Sequence, residues 1–332
     1  MLGSCLRLFS FSRAFLLFQL LLLFFSVWKP NSKFPCLVTL VLDSDSPVSS
    51  SLISSLGLAT QEIYIELFRL TDPQITSILC KKKKEGVNVN IFLDSKCKRD
   101  SQIRRLNRLL PVKYDSPFRL MHRKVVVVDR KISWIGSFNF TRTGFYLQKN
   151  SMLRIEDESV ASFLSNPMSE KYANFSIEGI SLQIWKLPPA KEALHTIRCS
   201  VREAHSSIQA VLFSCSHPQL VDDLIDAHNR GVEVQIILDQ GQSMSTSKKA
   251  ILRFMKAGIP LFIYRGIQDL HHKFVFIDDN IVFLGSCNWS KSAFSRNREL
   301  LAKLNIQNGP LKYKVKELWK NCFSQAVPIS IS

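Results

Sequence analysis

His122 and Lys124 stand two residues apart, and the same pair recurs at a constant offset as His271 and Lys273. Each pair is followed by an aspartate at the same spacing, Asp129 and Asp278. Each is then followed by a Gly-Ser-x-Asn run, Gly136-Ser137 with Asn139 and Gly285-Ser286 with Asn288. An imidazole can attack phosphorus or pass a proton, and an ammonium, a hydroxyl and a carboxamide can hold its oxygens. One such run would be a weak signal, but two copies in register point to a single chemistry carried by a duplicated chain.

The flanking residues say which elements must carry these groups. Val125 to Val128 and Phe274 to Ile277 are short apolar runs rich in β-branched or aromatic residues, and they read as buried strands. Turn-formers follow at 129–131 and 278–280, then second apolar runs at 132–135 and 281–284, so each copy predicts a hairpin. On a strand, residues two apart share a face. His271 is therefore expected beside Lys273, Ser286 beside Asn288, and His272 on the opposite side. The two aspartates fall at the turns, where capping is a more natural role than catalysis.

A second repeat lies outside these runs. Glu62 to Asp94 aligns without gaps on Ser207 to Asp239, with identical pairs such as Phe68/Phe213, Pro73/Pro218, Gly86/Gly231 and Asp94/Asp239. Each copy reads as a strand, a helix opened by proline and stopped by glycine, and a strand ending in aspartate. Strands alternating with helices predict an α/β layer architecture. The tail positions Leu311, Val315, Leu318, Trp319 and Cys322 predict a closing amphipathic helix.

The double pattern resembles the phospholipase D superfamily over about residues 36–325, including its phospholipase, cardiolipin synthase-like and endonuclease branches. The resemblance implies two similar domains, each a mixed β-sheet flanked by helices, related by pseudo-twofold symmetry. They are expected at 36–175 and 176–332, joined near Asn174 to Ile180. It also implies one shared site, with His122, Lys124, Asp129, His271, Lys273, Asp278 and Glu299 as catalytic candidates. Ser137, Asn139, Ser286 and Asn288 would bind substrate, and neither metal nor cofactor would be needed. One histidine would form a phosphohistidine while the other serves as acid and then base. Family members often place a glutamate after each motif to orient the histidine. Glu299 follows His271 at the same distance as Asn150 follows His122, so the resemblance implies that Glu299 orients His271 and Asn150 takes the equivalent place at His122. A carboxylate acceptor behind His271 makes it the expected nucleophile and His122 the general acid.

Composition bounds the partners. The 332 residues carry 44 Lys and Arg against 27 Asp and Glu, a net charge of +17, which favours phospholipid headgroups, a membrane surface or nucleic acid. A cluster from Lys96 to Arg108 suits the rim of an anionic substrate or a solvated face. The eight cysteines show no metal-ligand spacing. Ala14 to Trp28 is free of charge and follows Arg7 and Arg13. It reads as a membrane anchor within residues 1–35, with a cleaved signal as the alternative. A membrane-associated phospholipase D-like phosphodiesterase, monomeric because both motifs share one chain, is the leading expectation. A nuclease of the same superfamily and an inert lipid- or nucleic-acid-binding protein stay open.

Overall fold

The computed structural model describes residues 36–42 and 48–329. The apolar segment Ala14 to Trp28 lies outside the described residues. Among the described residues, no helix is long and apolar enough to cross a membrane. From Leu37 onward the described residues form one compact unit.

The first half contributes β1 (Val38–Leu42), β2 (Glu62–Leu67), β3 (Asn88–Leu93), β4 (Val112–Tyr114), β5 (Val125–Val128), β6 (Ile132–Gly136), β7 (Gln148–Lys149) and β8 (Ser151–Glu156). The second contributes β9 (Tyr172–Ile177), β10 (Ile180–Lys186), β11 (Ser207–Leu212), β12 (Glu233–Leu238), β13 (Leu261–Tyr264), β14 (Asp269–Leu270), β15 (Lys273–Ile277), β16 (Ile281–Gly285), β17 (Leu300–Asn305) and β18 (Ala326–Pro328). The first large sheet has the order β1-β8-β6-β5-β2-β3-β4, and the second β18-β13-β12-β11-β15-β16-β17-β10-β9. Read from its far end, the second repeats the first, with β9 and β18 added at its edges. The expected join at Asn174 to Ile180 lies within the β9–β10 hairpin of the second sheet.

The two sheets pack face to face. Val125, Val127 and Leu153 of the first meet Phe274, Phe276 and Leu284 of the second in one buried cluster. The outer face of each sheet is covered by helices. Val126 and Val128 pack with the helices Val48–Gly57, Pro73–Lys84 and Ser101–Leu109. Val275 and Ile277 pack with Lys191–Arg202, Pro218–Asn229 and Lys248–Lys256. Strands buried on both faces need apolar side chains at every position, which explains the unbroken VVVV and FVFI runs. The tail helix Pro310–Phe323 buries Leu311, Val315, Leu318 and Cys322.

The motif aspartates hold the far ends of the hairpins. Asp129 and Arg130 have φ of 50° and 53°, and Asp278 and Asp279 have 48° and 59°. Aspartate tolerates this left-handed turn, and its carboxylate is then free to accept. Asp129 takes the N–H groups of Thr60, Gln61 and Glu62, and Asp278 those of His205, Ser206 and Ser207. Burial alone would raise both pKa values, but these bonds outweigh it and lower them. Their place among the catalytic candidates is therefore corrected: they fasten each hairpin to the strand beside it.

At the near ends the glycines permit close approach. A Cβ on Gly136 would lie 2.2 Å from the Ser151 carbonyl oxygen, and one on Gly285 would lie 2.3 Å from that of Leu300. Gly285 also has φ of 144°, so both space and backbone exclude another residue there.

Candidate active site

The backbone brings each histidine to the opposite half of the molecule. The His122 N–H donates to the Arg298 carbonyl at 2.8 Å, and the Arg298 N–H returns to Leu120 at 2.8 Å. Symmetrically, β14 pairs with β7, and the His271 N–H donates to Lys149 at 2.9 Å. Two buried aspartates steady these segments. Asp94, at the end of β3, accepts the Met121 N–H at 2.7 Å, and Asp239, at the end of β12, accepts that of Leu270 at 3.1 Å. Sequence reasoning noted both as a repeated strand ending but gave them no role.

The side chains follow the same crossing. His122 Nδ1 lies 2.8 Å from Glu299 Oε2 and 3.0 Å from Oε1. His271 Nδ1 lies 2.9 Å from Asn150 Oδ1. The partners inferred from spacing are thus exchanged: Glu299 orients His122, and Asn150 orients His271. The residue that orients each ring immediately precedes β8 or β17, and the segment leading to it pairs with the histidine segment of the other half.

This arrangement fixes both tautomers. Glu299 is fully buried, and its carboxylate can only accept, so His122 Nδ1 carries the proton it shares. The Asn150 Nδ2 faces the carbonyls of Gly144 and Gln148 at 3.3 and 3.4 Å, which leaves Oδ1 to accept from His271 Nδ1. Each neutral ring therefore keeps Nε2 as its free lone pair.

The serines support these orienting groups. Ser286 Oγ donates to Glu299 Oε2 at 2.5 Å, and Ser137 Oγ donates to Asn150 Oδ1 at 2.8 Å. Asn297 Nδ2 adds a third bond to Glu299 at 3.1 Å. Both serines were expected to hold substrate oxygens, and both are instead positioning residues. The alternation that grouped Ser286 with Asn288 fails because the strands end at Gly136 and Gly285. Asn139 and Asn288 differ: their Oδ1 atoms are buried with no partner among the described residues. They stay as candidates to touch substrate.

Two lysines complete the cluster. Lys124 Nζ donates to the His122 carbonyl at 2.6 Å, and Lys273 Nζ to that of His271 at 2.7 Å. Burial pulls Lys124 down to about 7, against the upward pull of Glu299 and Asp94. Burial, then the charge of Lys124, holds Lys273 well below its ordinary value. His271 is held well below its own by burial, then by Lys273, Lys124 and His122. His122 is lowered by burial while Glu299 pulls it upward. Each motif thus acts electrostatically on the other, and both belong to one site.

Two aromatic rings, paired in the repeat but given no role from sequence, flank the histidines. The Phe68 centroid lies 6.5 Å from that of His122, and the Phe213 centroid 4.8 Å from that of His271. Residues adjacent to the histidines point elsewhere. Arg123 bonds Glu66 and the carbonyls of Glu299 and Leu187. His272 meets Ser151 Oγ at 3.2 Å and is pushed down to about 3 by burial. Among the described residues no group of His, Cys, Asp and Glu could hold a metal ion.

The buried cations have a cost to stability that can be measured. Lys124→Met should stabilise the fold by about 1 kcal/mol or more, as replacing buried charge with apolar volume often does, while removing activity. The gain should be largest below pH 7. There Lys124 is charged in both states, and the folded state bears the full burial penalty. Between about 7 and its ordinary value of 10.5 the folded lysine is neutral, and the penalty shrinks as pH climbs. Melting temperatures of the two proteins should converge from pH 7 to pH 10. A constant or widening gap would contradict this.

A family model described as the cardiolipin synthase, PLD-like domain matches residues 52–171 and again residues 197–322, well over half of the chain. The chain belongs to this family. Each match contains one copy of the His-x-Lys motif, and together they span the cluster described above. A mitochondrial cardiolipin hydrolase of Mus musculus is 34% identical over 114 residues, which cover 34% of this chain and 51% of that protein. A phospholipase D of Rickettsia felis is 32% identical over 127 residues, covering 37% of this chain and 64% of that protein. The chain thus spans between half and two-thirds of the length of these curated relatives. Among solved structures, the phosphatidylserine synthase of Haemophilus influenzae Rd KW20 superimposes with a TM-score of 0.69. That match covers 88% of this chain and 87% of the other at 11% identity, a likeness of fold alone.

Proposed function

We propose that this protein is a monomeric, membrane-associated phospholipase D-like phosphodiesterase that cleaves phospholipids through a phosphohistidine on His122. The observation that carries this reading is the unequal backing of two imidazoles in one cationic site, a carboxylate behind His122 and an amide behind His271. Attack by His122 Nε2 on phosphorus turns a neutral ring into a cationic phosphoimidazolium. Glu299 stabilises that charge as it forms, which Asn150 could not do. The nucleophile expected from spacing, His271, is therefore exchanged for His122 along with its partner.

The proton inventory closes with His271 as acid. Without substrate, burial first and then the charges of Lys273 and Lys124 drive protons from His271. An arriving phosphodiester anion opposes them and lets the ring take up a proton at Nε2. As the P–N bond forms and the P–O bond breaks, that proton passes to the departing alcohol. His271, now neutral, takes a proton from water as its oxygen attacks phosphorus. The P–N bond then breaks, releasing the acid product and neutral His122. An acceptor alcohol in place of water would give transfer. Lys124, Lys273, Asn139 and Asn288 would hold the non-bridging oxygens as charge shifts.

The phospholipid assignment draws on the activities named for the mouse and Rickettsia relatives and on the expected N-terminal anchor. With no added metal, purified protein should release phosphatidic acid from phospholipid micelles faster than it cuts single- or double-stranded DNA. Comparable DNA cleavage without lipid product would move the assignment to a nuclease. Tight binding with turnover of neither would leave the inert binding protein.

A further inference from the structure

We propose that the active-site face docks on an anionic phospholipid bilayer through two apolar tips, Phe118 and Ile267, set among exposed arginines. Phe118 is 91% exposed, and Ile267 is exposed without any shielding, at 106% of its reference area. The two are equivalent in the repeat, each standing four residues before a motif histidine. The loop bearing Phe118 leaves β4 where the Asp115 N–H bonds the Leu93 carbonyl at 3.0 Å. It ends at Met121, held by Asp94. The tip is thereby fixed beside the strand ends that carry the site. The loop bearing Ile267 leaves β13 where the Arg265 N–H bonds Gln325 at 2.8 Å, and it enters the site through β14.

Scattered exposed apolar side chains are normal on a protein surface and need no explanation. These are not scattered. They occupy symmetric positions on either side of one site, and the side chain differs while the exposure does not. The second tip is also extended: Gln268 Nε2 donates to the Tyr146 carbonyl at 3.1 Å, which sets Ile267 near exposed Tyr146 and Leu147. Both residues lie just ahead of Asn150, so the apolar rim continues to the group that orients His271.

The charge on these loops fits one surface. Arg119 and Arg265 are exposed on the tip loops themselves, and Arg142 and Arg296 are exposed on the segments that lead to Asn150 and Glu299. Of the nearby acids, Asp115 is paired with Arg298 and Asp100 with Arg69, and Asp269 is exposed. Apolar tips that enter the acyl boundary, framed by cations that meet headgroups, suit an anionic bilayer. A nucleic acid would use the arginines, but Ile267 offers no aromatic face for a base to stack on.

This inference rests on the phospholipid reading only for its purpose, because docking is measurable without turnover. Full-length protein should be mixed with vesicles of phosphatidylglycerol and, separately, of phosphatidylcholine, and followed by hydrogen exchange. Peptides covering 116–121, 143–149 and 266–270 should gain protection with phosphatidylglycerol alone. The Phe118→Ser/Ile267→Ser double variant should lose about tenfold or more in turnover of vesicle phosphatidylglycerol. Its turnover of water-soluble bis(p-nitrophenyl) phosphate should stay unchanged. Absence of protection in those three segments would overturn the docking face, as would wild-type turnover on vesicles by the double variant. Protection in those segments with no lipid product from either protein would instead overturn the phospholipid reading and leave the docking face standing.

Discussion

Replacing His122 with alanine should reduce phosphodiester turnover by about 10⁴-fold or more, because it removes both the nucleophile and the covalent route. His271→Ala should cost about 10²–10⁴-fold, the range for losing a positioned acid and base. The two variants should differ further with an activated aryl diester, whose leaving group needs no proton. His271→Ala should then form the adduct at a near-normal rate but release it slowly, because no base activates water. Alkaline quenching and peptide mapping should find phosphorus on His122 in that variant and none in His122→Ala. Each substitution removes a hydrogen bond across the halves, to Glu299 or to Asn150, so thermal melting should confirm that each variant is folded at the assay temperature. Label on His271 in the wild-type protein would reverse the two roles, and near-wild-type turnover by either variant would end the shared-site model.

Much of the scaffold was legible because burial leaves a record in one dimension. A strand covered on both faces must be apolar throughout, so Val125 to Val128 and Phe274 to Ile277 announced themselves. Pro73 and Pro218 at helix starts, with Gly86 and Gly231 beyond helix ends, have purely local causes. The pairing of Glu299 with His122 has no local cause. Equal spacing in both copies suits pairing within a half and pairing across halves equally well. The choice is made by hydrogen bonds from His122 to Arg298 and from His271 to Lys149, each joining residues more than a hundred positions apart. Ser137 and Ser286 were misplaced for a different reason. Strand alternation holds only as far as the glycines that end the strands, and Asn139 and Asn288 lie three residues beyond them, in backbone that no longer alternates. Asp94 and Asp239 were visible as a repeated letter, but their targets, the N–H groups of Met121 and Leu270, exist only once the halves have folded.

The exchanged pairing makes Glu299 the most consequential residue that touches no substrate. Glu299→Gln should lower kcat by about 10³–10⁴-fold, the scale seen when the carboxylate behind a catalytic histidine is neutralised. Asn150→Ala removes a neutral hydrogen bond worth about 1–2 kcal/mol and should cost about 5–30-fold. The ratio alone could reflect packing, so the pH profile must decide. Attack requires neutral His122, and the acidic limb of kcat/KM follows its protonation. Glu299 pulls the pKa of His122 upward against burial, so Glu299→Gln should move the acidic limb to lower pH even as the plateau falls. Asn150→Asp should act on the other limb. It would place a carboxylate behind His271, raise the pKa of the group that must be protonated, and extend activity to higher pH. A purely structural role for either residue would lower the plateau and leave both limbs in place. Equal losses in Glu299→Gln and Asn150→Ala, with neither limb displaced, would remove the basis for assigning attack to His122.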